Sequence, residues 1–310
     1  MPSTLAEGGA RGEGRGPAMD ARAWWRDGGT RCEPRLTTRM LPGEPGAPAL
    51  ELIEAEPDAG SRGAPILFVH GAFAGAWMWR EVFMPFFARR GRPCAAVSLR
   101  GHGASEGRAG LRAARLSDYR DDLQRAFAAS PEPPVVVAHS LGGLLAQQLI
   151  GREEMRGLAL LASLPPEGLW LESPRLAITD PRIWLEAVAG SAAGDRRPIG
   201  MAAHEVLFSE GLPREQVARY AALMTPESPR ALADAHLPGP IVSAFLAGVP
   251  TLVVGGTRDR LVTRGSTLRT ALYHGAEHRT IEGGGHFLQL DPNAAEVARG
   301  VLDWIAGLGA

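Results

Sequence analysis

Lysine is missing from this chain, so all 33 of its Lys+Arg residues are arginines. Without a lysine amine there is no Schiff base, no attachment point for pyridoxal phosphate and no P-loop lysine to hold a phosphate. Cysteine is nearly missing as well. Cys32 and Cys94 are the 2 present, and Cys94 falls in "RPCAAVSL", which reads as a buried strand. A disulfide framework is therefore not expected, and a reducing, cytoplasmic compartment is. Net charge is also close to absent, at -1 at pH 7, which removes any bulk attraction to nucleic acid or an anionic membrane. No run approaches the roughly 18 apolar residues of an integral membrane segment. The opening "MPSTLAEGGARGEGRGPAMD" lacks the apolar core of a secretory signal.

What is present is an ordinary globular composition, 45% hydrophobic and 22% charged over 310 residues. That length suits one large α/β domain carrying an insertion. Residues 1–18 are rich in Gly, Arg and Glu and are expected to be disordered, with Met19 a second candidate start. Residues 20–62 are turn-rich, with short strands expected near 35–40 and 49–54. A regular alternation follows. "PILFVHG", "CAAVSL", "PVVVA" and "GLALLAS" read as strands, separated by helical patterns at 76–89, 117–129 and 141–150. Ser117 is the expected N-cap of the second helix. After Leu164 the alternation stops, and 165–245 carries only helical patterns cut by Pro and Gly. It resumes with "VPTLVVGG", a helix at 266–272, "HRTI" and a last helix at 294–308. The expected architecture is α/β: a mostly parallel sheet flanked by helices, with a helical cap inserted. The expected divisions are an N-terminal segment 1–45, a core of 46–164 and 246–310, and a cap of 165–245.

Ligands of open parallel sheets bind beyond the carboxyl ends of the strands. At those ends stand His70-Gly71, His102, Ser140, Asp259 and His286. Ser, Asp and His in that chain order can supply a nucleophile, an orienting acid and a base. The stretch "VVVAHSLGGL" fits a nucleophile that must protrude where a strand turns sharply into a helix. Small residues before and after Ser140 permit that turn, although Ala138 stands where Gly-x-Ser-x-Gly has its first glycine. The N–H of Leu141 opens the following helix and can face a developing oxyanion.

"FVHGAFAGAWMW", "LRGHGASEG", "VVVAHSLGG", "VPTLVVGGTRDRLV" and "GGGHFLQLDP" together resemble the α/β-hydrolase superfamily. Within it, the chain is similar to the lysophospholipase and monoacylglycerol-lipase-like branch. The resemblance implies a Ser140 nucleophile, an Asp259 acid, a His286 base and an oxyanion hole from the N–H groups of Ala72 and Leu141. It implies a serine hydrolase of carboxylic esters that needs neither metal nor organic cofactor, with a small-molecule ester as its partner. Phe73, Trp170, Trp184 and Phe208 are candidates to line the substrate. Rival readings are thioester hydrolysis, acyl transfer with cyclisation, carbon–carbon cleavage in the same site, or a binding protein that keeps the triad without turnover.

Each residue has a structural alternative. Ser140 could be a helix N-cap, and the cap aromatics could pack only on one another. Asp291 is a rival acid, expected to cap the last helix. His139 is read as structural, and His70 and His102 as braces for loops. His274 and His278 have metal-like spacing, but Gly275 and the lack of a third ligand favour a solvated loop.

Overall fold

The computed structural model describes residues 34–57, 60–61, 63–185, 206–209 and 211–309. The expectations for 1–18, Met19 and Cys32 lie outside them. Among the described residues, eight strands form one sheet: β1 Leu36–Leu41, β2 Leu50–Ala55, β3 Ile66–Val69, β4 Cys94–Val97, β5 Val135–His139, β6 Gly157–Leu161, β7 Thr251–Gly256 and β8 Glu277–Ile281. Their spatial order is β1-β2-β4-β3-β5-β6-β7-β8. β2 runs antiparallel to both β1 and β4, and the remaining pairs are parallel. β1 lies ahead of residue 46, so the sheet begins before the expected start of the core.

Strands β3 to β7 read as continuous apolar runs because both faces of the sheet are covered there. Side chains alternate between two cores with the period of two that a strand imposes. Val135, Val137, Ala159 and Leu161 enter one core, with Phe83, Phe87, Val297, Val301 and Ile305 from helices α1 (Phe83–Ala88) and Ala294–Gly307. Val136, Ala138, Leu158 and Leu160 enter the other, with residues of α2 (Leu116–Ala128) and α3 (Ser140–Gln148) such as Leu123, Leu144 and Leu145. Each fully buried Val, Leu, Ile or Phe among them stabilises the fold by about 1.5–3 kcal/mol.

Several local expectations are corrected. The helix expected at 76–89 is two pieces, a 3-10 turn Ala76–Trp79 and then α1. Trp79 stacks on Phe68 of β3 at 4.9 Å, and packing on the sheet displaces regular helix there. Ser117 is not a cap; α2 begins after Arg115, whose N–H donates to Asp118 Oδ2 at 2.7 Å. Among the described residues, 165–245 forms no strand. It contributes α4 (Glu172–Thr179) and helices Arg214–Leu223 and Pro229–Asp234. No described helix is long and apolar enough to cross a membrane.

Candidate active site

The chain leaves β3 toward β4 on one side and leaves β5 toward β6 on the other, so the direction of connection reverses between these two neighbouring strands. A crevice opens at such a switch point, beyond the carboxyl ends of β3 and β5. Ser140 follows β5 there with φ 51, one of three non-glycine residues of positive φ among those described, with Phe73 and Ala162. A side chain in this left-handed conformation is strained, and the surroundings must hold it. Glycines make the close approach possible. A Cβ on Gly142 would lie 2.2 Å from the carbonyl oxygen of His70, and one on Gly71 would lie 2.8 Å from Ser140 Cβ. The tight neighbours of the turn are thus Gly142 and Gly71, while Ala138 fits without difficulty inside the sheet.

Ser140, Asp259 and His286 meet in this crevice, all of them buried. His286 Nδ1–H donates to Asp259 Oδ2 at 2.9 Å, which leaves Nε2 to accept from the Ser140 hydroxyl at 3.0 Å. The tautomer follows from the carboxylate, which can only accept. Asp259 Oδ1 accepts from the N–H groups of Leu261 and Val262, both at 2.9 Å, which fixes the acid on its loop. His139 stands behind His286. Its Nε2–H donates to the backbone carbonyl of His286 at 2.9 Å, and burial lowers its pKa well below the ordinary value. Its structural reading matches these contacts.

Asp291 does not serve His286. Its side chain accepts from Gly285 N–H at 2.6 Å and Ser209 N–H at 3.1 Å, so it ties down the "GGGH" loop. Burial raises its pKa. It does not cap the last helix through its side chain, as expected from sequence; only its carbonyl receives Ala294 N–H there.

The candidate oxyanion loop runs from His70 to Phe73. His70 Nδ1–H donates to the Gly71 carbonyl at 2.7 Å, and its Nε2 accepts from Leu99 N–H at 2.9 Å. Burial pushes the His70 pKa down to about 3, so the ring keeps this neutral tautomer. In a trans peptide the C=O and N–H point in opposite directions. Holding Gly71 C=O on one side therefore turns the Ala72 N–H to the other. Among the described residues that N–H has no protein acceptor.

The aromatic candidates divide. Phe208 is buried, stacks on Tyr220 and meets Phe287 edge-on at 5.2 Å, and Phe287 in turn stacks on His286. Phe73 belongs to the loop itself. Trp170 is 59% exposed, and Trp184 donates its Nε1–H to Ser173 Oγ within the insertion. Neither takes part in the hydrogen bonds or ring contacts of Ser140, Asp259 and His286. His274 is not in a solvated loop: it is buried, its Nδ1 accepts from Ala244 N–H and its Nε2–H donates to Gln147. His278 instead meets Thr267 Oγ1. His102 braces its loop, as expected, through Arg100 O.

Sequence reasoning missed Glu227, Glu172 and Arg175, all from the insertion. Glu227 accepts from the N–H of Phe73. Glu172 accepts from Arg175, Arg269 and Ser266, and Arg175 also donates to the carbonyls of Arg260 and Leu261, just after Asp259. No motif surrounds them, and a single acidic residue among Ser and Pro in "TPESP" signals only a loop.

Residues 66–299 match the profile of the alpha/beta hydrolase family, and the chain belongs to that family. An esterase from Exiguobacterium antarcticum superposes with a TM-score of 0.67 at 16% identity, over 84% of this chain and 96% of its own. An N-acyl homoserine lactone degrading enzyme superposes at 0.63 with 21% identity, over 86% of this chain and 99% of its own. The thioesterase domain from the curacin biosynthetic pathway does so at 0.62 with 20% identity, over 87% and 99%. At these identities the likeness is one of fold.

Proposed function

We propose that this chain is a serine hydrolase of carboxylic esters, working through an acyl-enzyme. Ser140 Oγ attacks the ester carbonyl while His286 Nε2 takes its proton. The N–H groups of Ala72 and Leu141 stabilise the oxyanion, and Asp259 holds the imidazole and stabilises its charged form. His286 then protonates the leaving alcohol, and a water activated by the same ring releases the acid. The observation that carries the reading is the continuous line from Ser140 Oγ through His286 to Asp259, at 3.0 and 2.9 Å, with Ser140 held at φ 51. A lone N-cap serine would need neither the strained backbone nor the base.

The substrates we infer are small or medium acyl esters, in keeping with the lysophospholipase and monoacylglycerol-lipase-like motifs. The insertion at 165–245 is the cap in this reading. Phe73 and Phe208 bound the acyl side because they touch the framework of the site, with Trp170 and Trp184 further out. The test is labelling with a fluorophosphonate together with turnover of p-nitrophenyl esters. The wild-type chain takes a single label and hydrolyses the ester, and Ser140→Ala does neither. Undiminished labelling of the alanine variant would overturn the mechanism.

A further inference from the structure

Glu227 lies between helices Arg214–Leu223 and Pro229–Asp234, and its side chain is 1% exposed. A carboxylate so buried must find donors for both oxygens. Oε1 accepts from the Tyr119 hydroxyl and from its neighbour Ser228 N–H. Oε2 accepts from Phe73 N–H at 3.2 Å and lies 3.3 Å from His102 Nε2. His102 Nδ1 meets Arg100 O at 3.0 Å, which sets the ring with Nε2 facing Oε2. Burial alone would raise the Glu227 pKa, but the charge of His102 and the converging donors outweigh it and hold the carboxyl below its usual range. Two residues earlier, Thr225 N–H donates to the Phe73 carbonyl at 2.9 Å. One short stretch of the insertion therefore grips Phe73 by both its N–H and its C=O, at a residue with φ 64 that would not keep this conformation unaided.

We infer that Glu227 is a positioning residue for the oxyanion hole: by clamping Phe73 from the insertion, it holds the adjacent Ala72 N–H on the reacting carbonyl. The inference rests on the serine-hydrolase reading. His70 fixes the Gly71–Ala72 peptide from one side, and Glu227 fixes the next peptide from the other. Only an all-acceptor group suits the site, because the Tyr119 hydroxyl and the N–H groups of Ser228 and Phe73 all donate to it. An amide in its place would turn an NH2 toward other N–H or O–H groups. The insertion thus completes the catalytic loop of the core, rather than only covering it.

The experiment compares Glu227→Gln, Tyr119→Phe and Ser140→Ala in the full chain, with p-nitrophenyl acetate as substrate and a trifluoromethyl ketone as oxyanion mimic. For Glu227→Gln, kcat and kcat/KM fall together by about 10²-fold, as for a misplaced oxyanion donor. KM stays within about twofold, and ketone affinity falls in parallel with kcat/KM. The acid limb of the pH profile stays in place, since the His286–Asp259 pair is untouched. Tyr119→Phe keeps the Phe73 contact and loses less than about fivefold. If Glu227→Gln does not accumulate as folded protein, Glu227→Asp is read instead: it keeps the charge, draws the carboxyl back by one methylene, and shows the same loss in kcat. A wild-type kcat in the variant read, a loss confined to KM with unchanged ketone affinity, or a Tyr119→Phe loss equal to that of Glu227→Gln overturns the inference. An active Ser140→Ala removes the hydrolase reading itself, whereas an inactive one beside a fully active Glu227→Gln removes this inference alone.

Discussion

At Asp259 and Asp291, two buried carboxylates on either side of β8 in the chain have separate tasks. Asp259 receives the ring N–H of His286, while Asp291 receives two backbone N–H groups and never reaches the ring. Asn at 259 can keep Oδ1 on Leu261 and Val262, but then its NH2 faces His286 Nδ1. The ring must take the other tautomer, with its hydrogen pointing at Ser140. Asp259→Asn is expected to lower kcat by about 10⁴-fold, the size of the tautomer effect in serine proteases, with folding intact by circular dichroism. Asp291→Asn leaves the triad as it is and sets an amide hydrogen against a backbone N–H. It lowers the thermal midpoint and costs less than about tenfold in kcat. A larger kcat loss for Asp291→Asn would transfer the acid's role to it.

At the scale of elements, the insertion is latched to the loop of Asp259 and to the loop of Phe73. α4 reaches the loop of Asp259 through Arg175, and the stretch before helix Pro229–Asp234 reaches the loop of Ala72 through Glu227 and Thr225. Glu172 anchors the first latch. Burial would raise its pKa, but hydrogen bonds from Ser266, Arg175 and Arg269 lower it, so the anchor keeps its charge at neutral pH. The aromatic residues of the insertion differ in reach. Phe208 connects to His286 through Phe287, whereas Trp170 is mostly in solvent. Each CH2 of an acyl chain buried against the insertion contributes at most about 0.8 kcal/mol, roughly fourfold in kcat/KM. Phe208→Ala is expected to lower the ratio of kcat/KM for octanoyl over acetyl esters, and Trp170→Ala to change it little. Unchanged ratios in Phe73→Ala, Phe208→Ala and Trp184→Ala alike would show that the acyl chain lies elsewhere.

The whole molecule carries a pH signature in its buried histidines. Burial lowers His70 from 6.5 to about 3 and His274 from 6.5 to about 4, and it lowers His139 as well. All three are neutral in the fold, while in the unfolded chain they take up protons near the ordinary value. Between that value and their folded pKa values the unfolded state binds more protons, so stability falls as pH falls through this window and levels off above it. The midpoint of urea unfolding is expected to drop steadily from about pH 7 to pH 5. His274→Gln, which removes one of these groups, should make that slope shallower. Equal slopes for the two chains would show that His274 does not titrate on unfolding.

Much of the fold, and the three residues that meet beyond β5, were legible in the sequence because each rested on a local signal. β5 and β6 announced themselves as apolar runs, since a strand covered on both faces has no polar positions to interrupt it. Ser140 was marked by the small residues that its turn requires, and Asp259 and His286 by their places just beyond apolar or glycine-rich stretches. The break after Leu164 marked the insertion, because losing a strand period needs no partner to be seen. What the sequence could not yield were contacts between segments far apart in the chain. Glu227 and Phe73 are separated by 154 residues, and no periodicity links them. The 3-10 turn at Ala76–Trp79 and the task of Asp291 were decided likewise by neighbours met only in space, Phe68 in one case and Ser209 in the other. Strand period and turn chemistry are properties of adjacent residues, so the sequence by itself determines them. A buried carboxylate takes its role from the donors that converge on it, and only the tertiary structure brings those donors together.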